Sequence, residues 1–288
     1  MMKNTRALII LSTALIISLA SISCSKIMTA GSSDGDNLEY LFAGDETYPY
    51  MQSSKTSQTV EVNGQEISTV INSDLGFTAT GKGISSGTLI LEVVIDTLGV
   101  RISSMQGNIT EDISSMKGKS FLMTMDRNGD NKDLDNAESL TYSIAELQTA
   151  NMKSSFANFF PVLPGESIQT GYSWQYTDTV NINTDTESAE IIMSNINTVD
   201  SKEEVSGYDC YKISYSIQGS RDGSSQTPQG TIISNVDISG SGYYYFAYRE
   251  GIIISDHMDM EAEGSMVMPT GESMPLYMTT VSDFKLQE

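Results

Sequence analysis

The sequence predicts a mainly β fold: a large curved antiparallel sheet or half-barrel with one or two short helices packed on or over it. Three observations predict it. Alternating polar and apolar segments recur along most of the chain, Gly, Asn and Asp turns separate them, and helical spacing is confined to two short stretches.

The elements follow in chain order. Residues 1–23 form an export leader, with Lys3 and Arg6 as a positive start, Ala7 to Ala20 as an uncharged apolar run, and small residues before Cys24. The run is too short to span a bilayer, because about 20 apolar residues are needed to cross roughly 30 Å of hydrocarbon. Ser21-Ile22-Ser23-Cys24 resembles the lipobox of bacterial lipoproteins, with Ser21 where that pattern usually has Leu. The resemblance implies that Cys24 is lipidated and becomes the new N-terminus. It also implies an outer-membrane address, since Ser25 follows where Asp would signal inner-membrane retention. Several acyl chains together anchor stably, at about 0.8 kcal/mol per buried methylene. Residues 24–37, with Gly31, Ser32, Ser33 and Gly35, read as a flexible tether.

Residues 38–288 read as a single β-rich domain. Asn63-Gly64 between alternating flanks is a strong two-residue hairpin signal and sets Val60 opposite Ile67. In Thr88 to Asp96, Leu89, Leu91, Val93 and Ile95 share one face while Glu92 and Asp96 take the other. Thr110 caps a short turn over Glu111 to Lys117, stopped by Gly118. A strand over Phe121 to Asp126 follows. A second helix is expected over Thr149 to Phe160, where Met152, Phe156, Phe159 and Phe160 form an apolar stripe that Pro161 and Pro164 end. Further strands are expected at 173–183, 190–197, 208–218, 231–238, 243–249, 252–263 and 276–286, with Glu250-Gly251 as a tight turn. The bend at 160–165 divides the chain into two β-rich halves, which form one curved sheet or, alternatively, two packed subdomains.

Composition narrows the function. The chain has 16 basic and 37 acidic residues, for a formal charge of −21, and losing residues 1–23 removes two bases and no acid, leaving −23. Nucleic acid is therefore not an expected partner, since phosphate binding depends on Lys and Arg. With Cys24 lipidated, Cys210 has no partner within the chain and is expected to be a buried apolar thiol.

A wider resemblance rests on Tyr40 with Gly44-Asp45 and Tyr48, then Asn63-Gly64-Gln65, Gly118-Lys119-Ser120-Phe121 with Asn128-Gly129, Phe160-Pro161 through Gly171-Tyr172-Ser173-Trp174, and Gly207 to Ile213. This order is similar to a group of uncharacterised exported β-rich bacterial lipoproteins. Their layout in turn resembles the lipoprotein-carrier (LolA-like) folds, which hold lipid or acyl chains against a half-open sheet. The resemblance implies fold, and function only by analogy.

Several constellations compete with bland readings. Gly83-Ile84-Ser85-Ser86-Gly87 matches G-x-S-x-G, but a nucleophile elbow stands between strand and helix, whereas Thr88 onward reads as strand. His257 is the single histidine, so no catalytic residue is assigned and no enzyme or cofactor is expected. Asp126, Asn128 and Asp130 occupy positions 1, 3 and 5 of a calcium-type loop, which departs from that pattern at Asn131 and Ala137; the competing reading is a hairpin turn at Asn128-Gly129. Met258, Met260, Met266, Met268, Met274 and Met278 crowd the C-terminal region. Thioethers there offer soft ligation of Cu(I) in a periplasmic metal-binding protein, or else an adaptable apolar lining or core. Tyr243 to Tyr245, Phe246, Tyr248 and Trp174 read either as a stacking platform or as half-buried sheet positions.

The expectation is a membrane-anchored bacterial envelope lipoprotein. It binds or carries a lipophilic small molecule on a concave face lined by Met152, Phe156, Phe159, Phe160, Met258, Met260, Met266 and Met268. The anchor has a direct check: the protein should sediment with membranes and its N-terminal peptide should carry acyl chains on Cys24. An unmodified thiol on a protein that fractionates as soluble would refute it.

Overall fold

The computed structural model describes residues 24–27, 35–42, 44–62, 64–85, 87–105, 107–130, 132–144, 148–156, 159–183, 187–227 and 230–288. The leader 1–23, tether residues 28–34, Asn63, Ser86 and Asn131 lie outside that set, and Cys24 is described in its backbone alone.

Two antiparallel meanders make up the chain. The short strands β1 (Cys24–Ile27) and β2 (Asp36–Asn37) come first and pair outside the first meander, which contains β3 (Thr47–Val62), β4 (Gln65–Ser85), β5 (Thr88–Ser104), β6 (Gly107–Asp112), β7 (Ser120–Asp126) and β8 (Asp133–Asp135). A covering segment follows with the hairpin β9 (Thr141–Ile144) and β10 (Gln148–Asn151), helix α1 (Met152–Phe156) and β11 (Ser167–Ile168). The second meander is β12 (Ser173–Asn183), β13 (Glu187–Val205), β14 (Tyr208–Thr227), β15 (Gly230–Ala247), β16 (Ile252–Val267) and β17 (Ser273–Leu286).

Antiparallel pairing of β17 with β3, Leu276 to Leu286 against Val60 to Tyr50, fuses both meanders into one 13-stranded sheet. Its order is β1-β12-β13-β14-β15-β16-β17-β3-β4-β5-β7-β8, with β6 also beside β5. Among the described residues the sheet has two ends and is not closed. The backbone of Cys24–Ile27 lies along Gln175–Asp178 at one of those ends. Register shifts at Gly76/Phe77, Gly81/Gly83, Val199/Ser201 and Tyr245/Phe246 are bulges, which sharpen the twist and bend the strands.

Alternation decides which face is dry. Leu89, Leu91, Val93 and Ile95 are fully buried, while on the other face Glu92 pairs with Lys82 at 2.7 Å and Asp96 accepts from Thr78 at 2.8 Å. Val60 stands opposite Ile67, as the Asn-Gly turn requires. The inward faces of the two meanders enclose an aromatic core in which Phe156 meets Phe77 at 4.9 Å and Phe121 at 5.0 Å between ring centroids. A second cluster, dominated by Met193, Met260, Met266, Met274 and Met278 with Ile191 and Leu276, fills the other end of the concave face.

Three expectations are corrected. The helix over Thr149 to Phe160 is confined to Met152–Phe156, because Gln148–Asn151 pairs as a strand with Thr141–Ile144 and Asn151 starts the turn by accepting from Ser154 N at 3.0 Å. The turn over Glu111 to Lys117 is a single 3-10 turn at Ser114–Met116, since Glu111 and Asp112 belong to β6. The expected break between 231–238 and 243–249 does not exist: β15 runs unbroken through Ser239-Gly240-Ser241-Gly242.

Phe156 is the keystone of the cover, so Phe156→Ala should destabilise the fold by about 3–5 kcal/mol. Urea denaturation reads this as a lower midpoint at unchanged slope; a loss under about 1 kcal/mol would mean that the helix is peripheral to the core.

Candidate functional site

The site begins with two missing side chains. On β15 the even-numbered residues face inward, so Gly240 and Gly242 leave two successive inward positions bare in the middle of the sheet. Their neighbours on β14 are Ile217 and Tyr215, and on β16 Met260 and Met258. These four line a cavity of about 190 Å³, partly open to the surface, that spans the inward face from β12 to β3. Ser155 of α1 and Phe159 and Pro161 of the following bend form its cover.

Glycine at 242 is required by close packing. A Cβ there would stand 2.5 Å from the Tyr215 hydroxyl, so the phenol occupies the space a side chain would take. From that position Tyr215 donates to Asp256 Oδ1 at 2.9 Å. Asp256 lies in β16 between Tyr244 of β15 and Phe284 of β17 in the ladder. Desolvation dominates its protonation and raises the carboxyl to about 7, with the Tyr215 hydrogen bond and His257 pulling the other way. Burial likewise raises the Tyr215 and Tyr244 phenols well above their ordinary range.

Polar groups concentrate at the β12–β14 side of the cavity. Asp178 and Asn197, each 2% exposed, line it with Tyr176 and Asn195. Among the described residues, Asn197 Nδ2 and the fully buried Tyr244 hydroxyl find no hydrogen-bond partner. At the opposite wall Gln52 Nε2 donates to Ser282 Oγ at 3.2 Å beside Phe284. Among the described residues no lysine or arginine lines the cavity.

The residues singled out from sequence distribute over three places. Phe159, Met258 and Met260 line the cavity. Met152, Phe156 and Phe160 are buried in the aromatic core, so the sheet beneath them is filled. Met266 is buried in the methionine cluster and Met268 packs against it. The thiol of Cys210 is fully buried and pushed up to about 12 by desolvation, which makes it inert.

The metal candidates resolve into local bonding. Asp126 accepts from the Asp130 N–H at 2.7 Å and, with its amide turned to donate, from Asn128, while Asn128 O accepts from Leu163 N at 2.8 Å. Asp126 and Asn128 thus bond within the turn and to the 160–165 bend. Among the described residues no group of three or more His, Cys, Asp and Glu side chains converges as a metal site would. His257 projects from the convex face of β16, opposite Asp256, with Nδ1 2.9 Å from Asp283, which raises the imidazole above its ordinary value.

The polar half of the site was missed in the sequence. Its signal is interruption of inward apolar rows at one level: Asn195 and Asn197 after Ile191 and Met193, glycines after Val236 and Ile238, and Asp256 before Met258 and Met260.

The chain matches no protein-family model and no curated protein. Among solved structures it is similar to an outer membrane channel from Pseudomonas putida F1, at 8% identity and a TM-score of 0.26 over 90% of this chain and 100% of that one. Pseudomonas aeruginosa OccK2 (OpdF) in complex with glucuronate matches at 8% identity and 0.28, over 85% of this chain and 100% of that one. A mutant of Rh. blastica porin matches at 9% and 0.21, over 83% and 100%. Overlap this shallow assigns neither a common fold nor a function.

The Asp256 environment gives a pH test. Below about pH 4 the acid is protonated whether the chain is folded or unfolded. Between 4 and 7 the folded chain keeps a proton that the unfolded chain has released, so this group's contribution to stability falls as pH rises through that window. Asp256→Asn removes the loss. The variant should match the parent at pH 4 and exceed it at pH 8 by on the order of 2–4 kcal/mol. Equal or lower melting of the variant at pH 8 would show that the carboxylate is solvated.

Proposed function

We propose that this protein is a non-enzymatic lipoprotein of the bacterial envelope that binds or carries an apolar or amphipathic ligand in the cavity between β12–β17 and the α1 cover. Cys24, acylated, tethers it to the outer membrane, where it faces the periplasm or the cell surface. The observation that supports ligand binding is the cavity itself: a partly open concavity on the inward face with apolar walls at Ile217, Met258, Met260 and Phe284 and a small set of buried polar groups at one end.

An apolar tail has somewhere to go. Met193, Ile217 and Met260 belong both to the cavity wall and to the methionine cluster beyond it. Unbranched thioether side chains repack at low cost, so the cluster can part along the sheet to admit a chain longer than the cavity. The anchor supports the same reading, because a tether at the bilayer surface keeps the cavity near lipophilic molecules.

Organic extraction of protein purified from membranes, followed by mass spectrometry, tests this. A lipophilic molecule should be recovered at near-stoichiometric amount beyond the acyl chains on Cys24. Ile217→Trp, which fills the cavity, should lower that recovery at least fivefold while leaving membrane association intact. Equal recovery from the filled variant would assign the molecule to the membrane rather than to the site.

A further inference from the structure

We propose that the polar end of the ligand is a hydrogen-bond acceptor, an oxygen of the carbonyl or carboxyl type, that takes the Tyr244 hydroxyl and the Asn197 side-chain amide as its donors. This rests on the reading of the cavity as a ligand site and names the head-group chemistry that the site selects.

Two buried donors line the cavity with nothing to donate to. Tyr244 is 0% exposed and Asn197 2%, and among the described residues neither the Tyr244 hydroxyl nor Asn197 Nδ2 has a hydrogen-bond partner. Burying a donor without a partner forfeits its hydration and returns nothing. Other polar groups of the same cavity are bonded: Tyr215 donates to Asp256 Oδ1 at 2.9 Å, and Gln52 Nε2 donates to Ser282 Oγ at 3.2 Å. Strand register places the two donors on either side of one ring. Asn197 stands opposite Tyr215 on β14, Tyr215 stands opposite Gly242 on β15, and Tyr244 follows Gly242 on the same inward face. The Tyr215 and Tyr244 rings are 6.1 Å apart, and the Tyr215 phenol occupies the space a side chain at 242 would take.

The donor set selects the ligand atom. An amide nitrogen donates and does not accept, so a head group that only donates leaves Asn197 Nδ2 unsatisfied. Burial holds the Tyr244 phenol well above its ordinary range, which keeps its proton available to donate as well. A carbonyl oxygen carries two lone pairs, and an ester or carboxylate adds a second oxygen, so one such group can serve both donors. The apolar walls at Ile217, Met258 and Met260 then receive the rest of the molecule. Gln58 supplies the contrast. Its amide is 1% exposed and has no partner among the described residues, but it stands on β3 opposite Met278 and does not line this cavity.

Isothermal titration of the delipidated full chain with 2-octanone, octanoate and octylammonium reads the head group, because the probes share a tail length and the ammonium only donates. The ketone or the carboxylate should bind one-to-one and at least tenfold more tightly than the ammonium, and the leading probe of the two shows whether the acceptor is neutral or anionic. Tyr244→Phe and Asn197→Leu should each weaken that probe about fivefold or more, while Gln58→Leu should leave it unchanged. In the ligand-free protein Tyr244→Phe should melt at or above the parent, since it removes a donor that has no partner. A lower melting point for ligand-free Tyr244→Phe would show that the hydroxyl is already bonded, as to an ordered water, and would overturn the assignment. Unchanged affinity in both cavity variants, or an equal loss in Gln58→Leu, would overturn it too. Ammonium binding as tightly as the ketone and the carboxylate would overturn the acceptor assignment and leave amphiphile binding standing. Binding of none of the three would overturn both readings.

Discussion

The pairing of β17 with β3 is the constraint on which the rest of the structure depends. It joins residues more than 200 apart in sequence, and without it each meander would present a bare sheet edge and a half-covered apolar face. With it, both inward faces curve around one aromatic core, and Tyr50 of β3 can stack on Phe284 of β17 at 4.7 Å. The cavity depends on the same join. Its far wall is Gln52 from β3 beside Ser282 and Phe284 from β17, so the site is completed only when the two halves of the chain meet.

Within that frame the concave face divides by side-chain type. Beneath the cover, rigid rings interlock edge to face, and Phe159 packs on Phe77 at 4.8 Å and on Phe284 at 4.8 Å. At the other end thioethers dominate, and the cavity lies at the boundary. The division has a physical logic. Aromatic packing fixes the shape of the cover and hence the position of Ser155, Phe159 and Pro161, whereas methionines tolerate rearrangement beside it. Placing a carboxylate and unpartnered polar atoms at this boundary costs stability, and such departures from consistent packing are where function concentrates.

Local order was legible in the sequence where one rule governs. Asn63-Gly64 needs positive φ, and the Val60 to Ile67 pairing follows from it; Leu89 to Ile95 alternate strictly, and all four apolar side chains are buried. Legibility ended where tertiary packing overrode a local preference. Glycines at 240 and 242 read as a turn because they weaken a strand, but pairing on both sides and the Tyr215 ring hold β15 straight through them. The bulge between Tyr245 and Phe246 sets Ile254 as an extra residue, which changes the parity of β16 and turns Asp256 inward with Met258. A period-two reading that starts from Ile253 puts Asp256 on the wet face. Half of the site was therefore visible as methionines, and the half that carries hydrogen bonds was not.

The acidic balance of the whole chain links to this site more closely than solubility alone would suggest. A formal charge of −21, from 37 acidic and 16 basic residues over the whole sequence, produces a negative field that extends about a Debye length, roughly 8 Å at physiological ionic strength. The partly open concavity lies within that field, and Asp256 is among its lining residues. On the proposed reading charge and anchor act in opposite senses: acyl chains on Cys24 would hold the protein at the membrane, while its acidity repels anionic phospholipid headgroups.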